Sequence, residues 1–165
     1  MYSRILIPMD GSEAAEIVLP YVEEIAARSG SEMILASVSE TENAELERMY
    51  QPYLEELSSK VESELEVWRA KGGTTVQYAI IMGTPASEIV RYADENDVKL
   101  IAMASRGSSG QGPWLLGNIA AKVLRSTSKP VLLIRKPVSE VDLQQKNLIK
   151  RVLLPLDGSE LGEGA

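Results

Sequence analysis

Residues 4–12 read Arg-Ile-Leu-Ile-Pro-Met-Asp-Gly-Ser and carry the clearest fold signal in the sequence. The unbroken apolar run from Ile5 is typical of a strand buried on both faces, because a half-exposed strand alternates apolar and polar side chains. Ser12 then follows as a helix N-cap, and apolar residues recur at three- and four-residue steps as far as Gly30, a helix stop. The segment predicts a βα unit, in which Pro20 should kink the helix.

Short apolar runs separated by stretches of helical periodicity extend this pattern along the chain. The predicted strands are 4–8, 32–38, 75–81, 100–105 and 131–134. A long helix is predicted from Pro52 to Gly72-Gly73, a third from Thr84-Pro85, and a fourth over 116–124 that ends before Pro130. Alternating strands and helices predict one α/β domain with a mostly parallel sheet covered on both faces.

Composition narrows the chemistry that the protein can perform. The 165-residue chain contains no histidine and no cysteine, which excludes Ser-His-Asp and Cys-His catalysis and nearly all zinc chemistry. Its 17 basic and 24 acidic residues give a net charge of −7, so nucleic acid is not an expected partner. No apolar run reaches the length of a membrane span, and no basic leader with an apolar segment opens the chain. We therefore expect no membrane contact and a cytoplasmic location.

An internal repeat appears near the end of the chain. Residues 151–160 match residues 4–13 at seven of ten positions, and the other three are conservative apolar changes. Because the offset of 147 residues is about the length of one domain, we expect a domain over 1–136, a polar linker over 137–150 and the start of a second copy over 151–165. We expect this orphan strand to pair with a neighbouring molecule.

Two loops that directly follow predicted strands contain the candidate ligand residues. In 8–12, Asp10 precedes the free N–H groups of a helix start, which attract anions, but it is equally well explained as a cap or turn residue. In 103–112, Gly107, Gly110 and Gly112 would let backbone amides surround a phosphate, and a flexible connection has the same composition. Neither the Walker A nor the G-x-G-x-x-G pattern is met, so both interpretations stay open.

Several segments together resemble the universal stress protein family over residues 1–135. They are the strand that ends in Pro-x-Asp-Gly-Ser, the turn Gly83-Thr84-Pro85, and a loop in the register G-x2-G-x9-G-[ST], which here runs from Ala104 through Gly107 to Gly117-Asn118. The resemblance implies a flavodoxin-like or Rossmann-like, doubly wound, five-stranded parallel sheet in the order 3-2-1-4-5 with helices on both faces. In that order the first and fourth strands are neighbours, so Asp10 and Gly107 share one crevice.

The resemblance also implies a ligand, which is ATP, or AMP or ADP in its place, with Mg²⁺ entering only together with the nucleotide. Asp10 would lie by the adenosine and Val38 against the adenine. The backbone of 105–107 and the helix start at Gly117-Asn118 would hold ribose and phosphates. The resemblance assigns no catalytic residue, and its site residues are Pro8, Met9, Asp10, Ser12, Val38, Met103, Ala104, Ser105, Arg106, Gly107, Gly110, Gly117, Asn118 and Ile119.

Three functions follow from these observations. The leading one is a nucleotide-binding stress or signalling module with at most slow ATP hydrolysis. Ala104 and Asn118 depart from the family pattern and favour the second, a dimerising interaction module of the same fold without nucleotide. A redox or acyl-transfer enzyme is the third, and the missing histidine and cysteine count against it. In the family order the strand 131–134 lies at the sheet edge, where we expect it to pair with a second chain or with the second repeat.

Overall fold

The computed structural model describes residues 2–40, 44–66, 74–106, 116–135, 151 and 153. Its strands all run parallel, in the order β3-β2-β1-β4-β5. The predicted fold class and strand order are confirmed. In chain order the elements are β1 Arg4–Pro8, α1 Glu13–Glu16, α2 Leu19–Ser29, β2 Glu32–Ser39, α3 Ala44–Glu66, β3 Val76–Met82, α4 Pro85–Glu95, β4 Leu100–Ala104, α5 Asn118–Ser126 and β5 Val131–Ile134.

The sequence of β1 is apolar throughout because this central strand is covered by helices on both faces of the sheet. Ile5 and Ile7 pack into a core formed with α1, α2 and α3 on one face of the sheet. Leu6 packs into a second core with α4 and α5 on the other face. All three side chains are fully buried. Because β1 lies between β2 and β4, its carboxyl end is where the chain turns to opposite sides of the sheet, and ligands bind at such points in doubly wound folds.

The helix predicted after β1 is divided rather than kinked, which corrects the expectation for Pro20. The chain leaves the helical pattern after Glu16 and resumes it at Leu19, so that Pro20 lies in the first turn of α2. Proline is tolerated there because the amide that it lacks has no acceptor within the helix. The predicted ends are both present: Ser12 caps α1, and Gly30 ends α2 in the left-handed conformation at φ 67°.

The long helix begins earlier than expected. α3 starts at Ala44 instead of after Pro52, and Pro52 lies inside it. Its apolar face is buried through Leu54, Leu57, Val61 and Leu65, whereas Pro52 is exposed. Packing along this face therefore outweighs the one helical hydrogen bond that Pro52 removes. The predicted end at Gly72-Gly73 lies outside the described residues.

The remaining predicted bounds differ from the observed ones by one or two residues. β2 and β3 each end one residue later, and β4 ends at Ala104 instead of Ser105. α4 begins at Pro85 after Thr84, as predicted. The linker 137–150 is outside the described residues, and in the tail only Arg151 and Leu153 are described. Leu153 is 91% exposed. Among the described helices, none is long and apolar enough to cross a membrane.

Candidate functional site

A cavity of about 410 Å³ lies at the carboxyl ends of β1, β2 and β4, and we call it the cleft. Its position is the switch point of the doubly wound sheet, where the sequence predicted a ligand. The first turns of α4 and α5 close one side, and α3 reaches it through Tyr50. The described residues that line it are Pro8, Met9, Asp10, Ala15, Ala36, Val38, Ser39, Glu40, Tyr50, Pro85, Ile89, Met103, Ala104, Arg106, Gly117, Asn118, Ile119 and Ala120.

The turn after β1 is fixed by the Asp10 carboxylate. Asp10 Oδ1 accepts hydrogen bonds from the Ser12 amide at 3.1 Å and from the Ser12 hydroxyl at 2.5 Å. Gly11 between them has a φ of 78°, a conformation that glycine adopts without steric cost. Ser12 Oγ in turn accepts from the Ala15 amide at 3.2 Å and caps α1. Asp10 therefore has the turn role that the sequence left open, and it also lines the cleft.

Met9 joins this turn to the core. The side chain is 4% exposed. Its amide donates to Ala36 O at 2.7 Å, and its carbonyl accepts from the buried Ser37 hydroxyl at 3.0 Å. The Tyr53 hydroxyl lies 3.9 Å from Met9 Sδ and donates to Glu16 Oε1 at 3.1 Å. Burial and the neighbouring Glu16 carboxylate raise the pKa of Tyr53, so the phenol remains a neutral donor to Glu16.

On the opposite side, the start of α5 is held against the end of β4. The Gly117 amide donates to Ser105 O at 2.8 Å, and the Ser105 amide donates to Ile134 O at 2.7 Å. A Cβ on Gly117 would lie 3.2 Å from Ser105 O and 3.4 Å from Arg106 Cα, so the close approach depends on glycine. Gly117 is the N-cap of α5 and supplies no side-chain hydrogen bond. The first amides of α5 thus have no acceptor within the helix, at a helix end that bears partial positive charge.

An apolar wall separates these two polar sides. It is formed by Ala36 and Val38 of β2, Met103 of β4, and Pro85 and Ile89 of α4. Ala36, Met103 and Ile89 belong to the core between the sheet, α4 and α5, and Val38 packs against that core. A mostly apolar cavity with a few polar groups at its rim is the usual form of a small-molecule site.

Most of the residues predicted for the site come together in the cleft. Among those described, Pro8, Met9, Asp10, Val38, Met103, Ala104, Arg106, Gly117, Asn118 and Ile119 line it. Ser12 and Ser105 do not line it; they fix the Asp10 turn and the start of α5. Gly107 and Gly110 lie outside the described residues.

Several residues that line the cleft were not predicted from the sequence. The polar ones are Ser39, Glu40 and Tyr50, and the apolar ones are Ala15, Ala36, Pro85, Ile89 and Ala120. Glu40 and Pro85 could have been predicted from the sequence, because each follows the end of a strand in a parallel sheet. Tyr50 could not have been predicted, because its position depends on how α3 packs across the sheet. No group of three His, Cys, Asp or Glu residues that could hold a metal ion occurs among the described residues.

Comparison with known proteins identifies the class to which this fold and cleft belong. The model of the universal stress protein family matches residues 1–135, and the chain belongs to that family. It is 29% identical over 156 residues to universal stress protein MJ0577 of Methanocaldococcus jannaschii, covering 82% of this chain and 96% of that protein. The solved structure of MJ0577 superposes with a TM-score of 0.61 at 30% identity, covering 84% of this chain and 99% of that one.

Two further structures of the family contain nucleotides. A universal stress protein in complex with cAMP has a TM-score of 0.60 and 22% identity, covering 81% of this chain and 97% of that one. The universal stress protein of Archaeoglobus fulgidus in complex with dAMP has a TM-score of 0.59 and 23% identity, covering 80% and 97%. At these identities the likeness shows the shared fold, and the ligands are those of the two proteins themselves.

Proposed function

We propose that this domain binds an adenine nucleotide in the cleft and acts as a stress-response or signalling module. One observation carries the proposal: the start of α5, whose N-cap Gly117 supplies no side-chain hydrogen bond, is fixed at one side of a cavity whose wall is apolar. The wall at Val38 offers a flat base an apolar surface. The amides of α5 offer the phosphates hydrogen-bond donors at the positive end of a helix dipole.

The two departures from the family pattern do not obstruct this proposal. Ala104 continues β4 in register with Ile134. Among the described non-glycine residues only Asp97 has a positive φ, so the Ala104 backbone does not require glycine. Asn118 is the first residue of α5 and is exposed at the cleft, where its amide can donate to a phosphate oxygen. ATP, ADP and AMP are the proposed ligands, with Mg²⁺ carried by the phosphates.

A pair of matched valines tests the proposal. Val38 and Val76 are both half-buried in neighbouring strands, but Val76 opens β3 at the other end of the sheet. Val38→Asn should lower ATP affinity about five- to tenfold, because it exchanges apolar contact for an amide that must be desolvated. Val76→Asn should leave the affinity unchanged. Isothermal titration calorimetry measures both, and equal affinities in the two variants would reject the cleft as the site.

The nucleotide itself is tested by thermal shift and by the content of the purified protein. A ligand at 100 times its Kd stabilises by about 2.7 kcal/mol, which raises the Tm of a chain of this size by roughly 5–10 °C. Mass spectrometry of the denatured protein would identify any nucleotide that co-purifies. No shift with ATP, ADP or AMP at millimolar concentration would favour the second function, an interaction module without nucleotide.

Strand β5 favours that second function. Among the described strands it forms one edge of the sheet, and its four apolar residues are only half-buried. An open edge of this kind offers unpaired N–H and C=O groups to another strand. We propose that β5 pairs with its counterpart in a second chain or in a second repeat. Such pairing is compatible with nucleotide binding, because the cleft opens at the carboxyl ends of the strands.

We further propose that the protein acts in the cytoplasm and hydrolyses ATP slowly or not at all. The repeat from Arg151 begins a second copy of the domain, and the exposure of Leu153 supports a partner for this segment.

A further inference from the structure

The charged residues of the cleft are distributed unevenly. Asp10 follows β1 and Glu40 follows β2, whereas Arg106 follows β4. Because β2 and β4 flank β1, Glu40 and Arg106 follow strands that lie about 10 Å apart. Among the described lining residues these are the formally charged ones, with two negative charges and one positive.

The sequence that follows Arg106 contains no charged side chain as far as residue 115. Residues 107–115 read Gly-Ser-Ser-Gly-Gln-Gly-Pro-Trp-Leu, without lysine or arginine. Within the described lining of the cleft, the positive potential that a phosphate meets comes from Arg106, from backbone amides and from the start of α5, whose dipole is equivalent to roughly half an elementary charge. The chain as a whole has a net charge of −7, so it offers an anion no long-range attraction.

The charges of the cleft should affect the binding of AMP and of ATP to different extents. At neutral pH, AMP has about two negative charges, and ATP without a metal ion has about four. No described lining residue other than Arg106 offers a cation to the two additional charges of ATP, and Asp10 and Glu40 repel them. Mg²⁺ bound to the β- and γ-phosphates would cancel these charges, and AMP gains little from it.

We propose that the cleft selects nucleotides by charge: it binds AMP-like monophosphates without a metal ion, and it binds ATP only as the Mg²⁺ complex. Glu40 is the specificity-determining residue, because it lines the cleft on the side away from Arg106 and α5. Asp10 contributes to the same repulsion, but it also fixes the β1 turn, which makes it unsuitable as a probe. This inference rests on nucleotide binding in the cleft.

The test compares AMP and ATP by calorimetry in EDTA and in excess Mg²⁺, at low ionic strength. In the native protein, Mg²⁺ should strengthen ATP binding at least tenfold and AMP binding less than twofold. In Glu40→Gln, ATP affinity in EDTA should rise about fourfold more than AMP affinity, as expected when one carboxylate charge at roughly 10 Å no longer repels the two additional phosphate charges in an aqueous setting. The gain should shrink as NaCl is added, because Glu40 is exposed and its field is screened.

Glu62→Gln is the matched control. Glu62 is an exposed carboxylate of α3 that does not line the cleft, and its substitution changes the net charge by the same amount. It should not change the ratio of ATP to AMP affinity. If AMP and ATP bind equally well in EDTA, or if Glu40→Gln and Glu62→Gln behave alike, charge selection by the cleft is wrong while nucleotide binding stands. Failure of both nucleotides to bind in either buffer would overturn both proposals.

Discussion

Substitution of Gly117 tests the contact on which the cleft depends. Gly117 has φ −62° and ψ 150°, a conformation open to any residue. Its need for glycine therefore comes from space and not from the backbone. A methyl group there would meet Ser105 O at 3.2 Å and Arg106 Cα at 3.4 Å, both of them backbone atoms.

The loss of stability in Gly117→Ala depends on how firmly these two neighbouring residues are held in place. Ser105 is buried, accepts from the Gly117 amide at 2.8 Å, and donates to Ile134 O at 2.7 Å, so it can move only by disturbing β5 or α5. Overpacking of this kind costs about 1–3 kcal/mol. Gly117→Ala also reduces the conformational entropy of the unfolded chain, which stabilises the folded protein by about 0.4–1 kcal/mol. We expect a net loss of about 1–2 kcal/mol, which corresponds to a Tm lowered by roughly 2–8 °C.

Gly11 is the matched control because its position needs glycine for the backbone conformation and not for lack of space. It has φ 78°, and a Cβ there would meet nothing within 4 Å. Gly11→Ala should cost about 1–2 kcal/mol through the left-handed backbone alone, and Gly11→Asn should recover part of it, because asparagine tolerates this conformation. Gly117→Asn should recover nothing. Urea denaturation of the four variants measures these differences, and a Gly117→Ala protein as stable as the native one would refute the steric argument.

Two further predictions concern pH and assembly. Burial, reinforced by Glu64 and opposed by Lys60, raises the pKa of Glu23 from 4.5 to about 7, so the native state favours its neutral form. The stability that this group contributes is present below pH 4.5 and is lost as pH rises through 7. Urea denaturation should therefore show Glu23→Gln to be about 1–3 kcal/mol more stable than the native protein at pH 8 and no more stable at pH 4. A difference in stability that does not change with pH would contradict the assignment. In β5, the register with β4 and the bond from Ile101 N to Pro130 O direct the Leu133 amide to the open edge and the Leu132 amide to β4. Leu133→Pro should therefore weaken association in sedimentation experiments with a smaller loss of stability than Leu132→Pro, and an unchanged assembly state would exclude this edge as the contact.

The fold was predictable because its strongest signals are local. A strand buried on both faces must be apolar at every position, and β1 shows this in Ile5, Leu6 and Ile7. Helix ends are equally local, as Ser12 and Gly30 show. The strand order was not derivable from periodicity and came from the resemblance to a family.

The errors arose where tertiary packing overrides a local rule. Pro52 indicated a helix start, but the helix extends past it because the buried face of α3 supplies more stability than one hydrogen bond. Pro20 indicated a kink, and the chain instead uses it to begin a new helix. Tyr50 and Ile89 reach the cleft from helices on opposite faces of the sheet, and no sequence spacing indicates that meeting.

The interruption between α1 and α2 limits how far a change at the Asp10 turn can spread. α1 is a single turn with one buried side chain, Ala15, whereas α2 is anchored in the core by Leu19, Val22 and Ala26. A ligand that displaces the turn needs to move only four helical residues, since Ile17 and Val18 separate them from the anchored helix. Movement of α1 breaks the hydrogen bond between Tyr53 and Glu16, but the sheet and α2 keep their packing while it occurs.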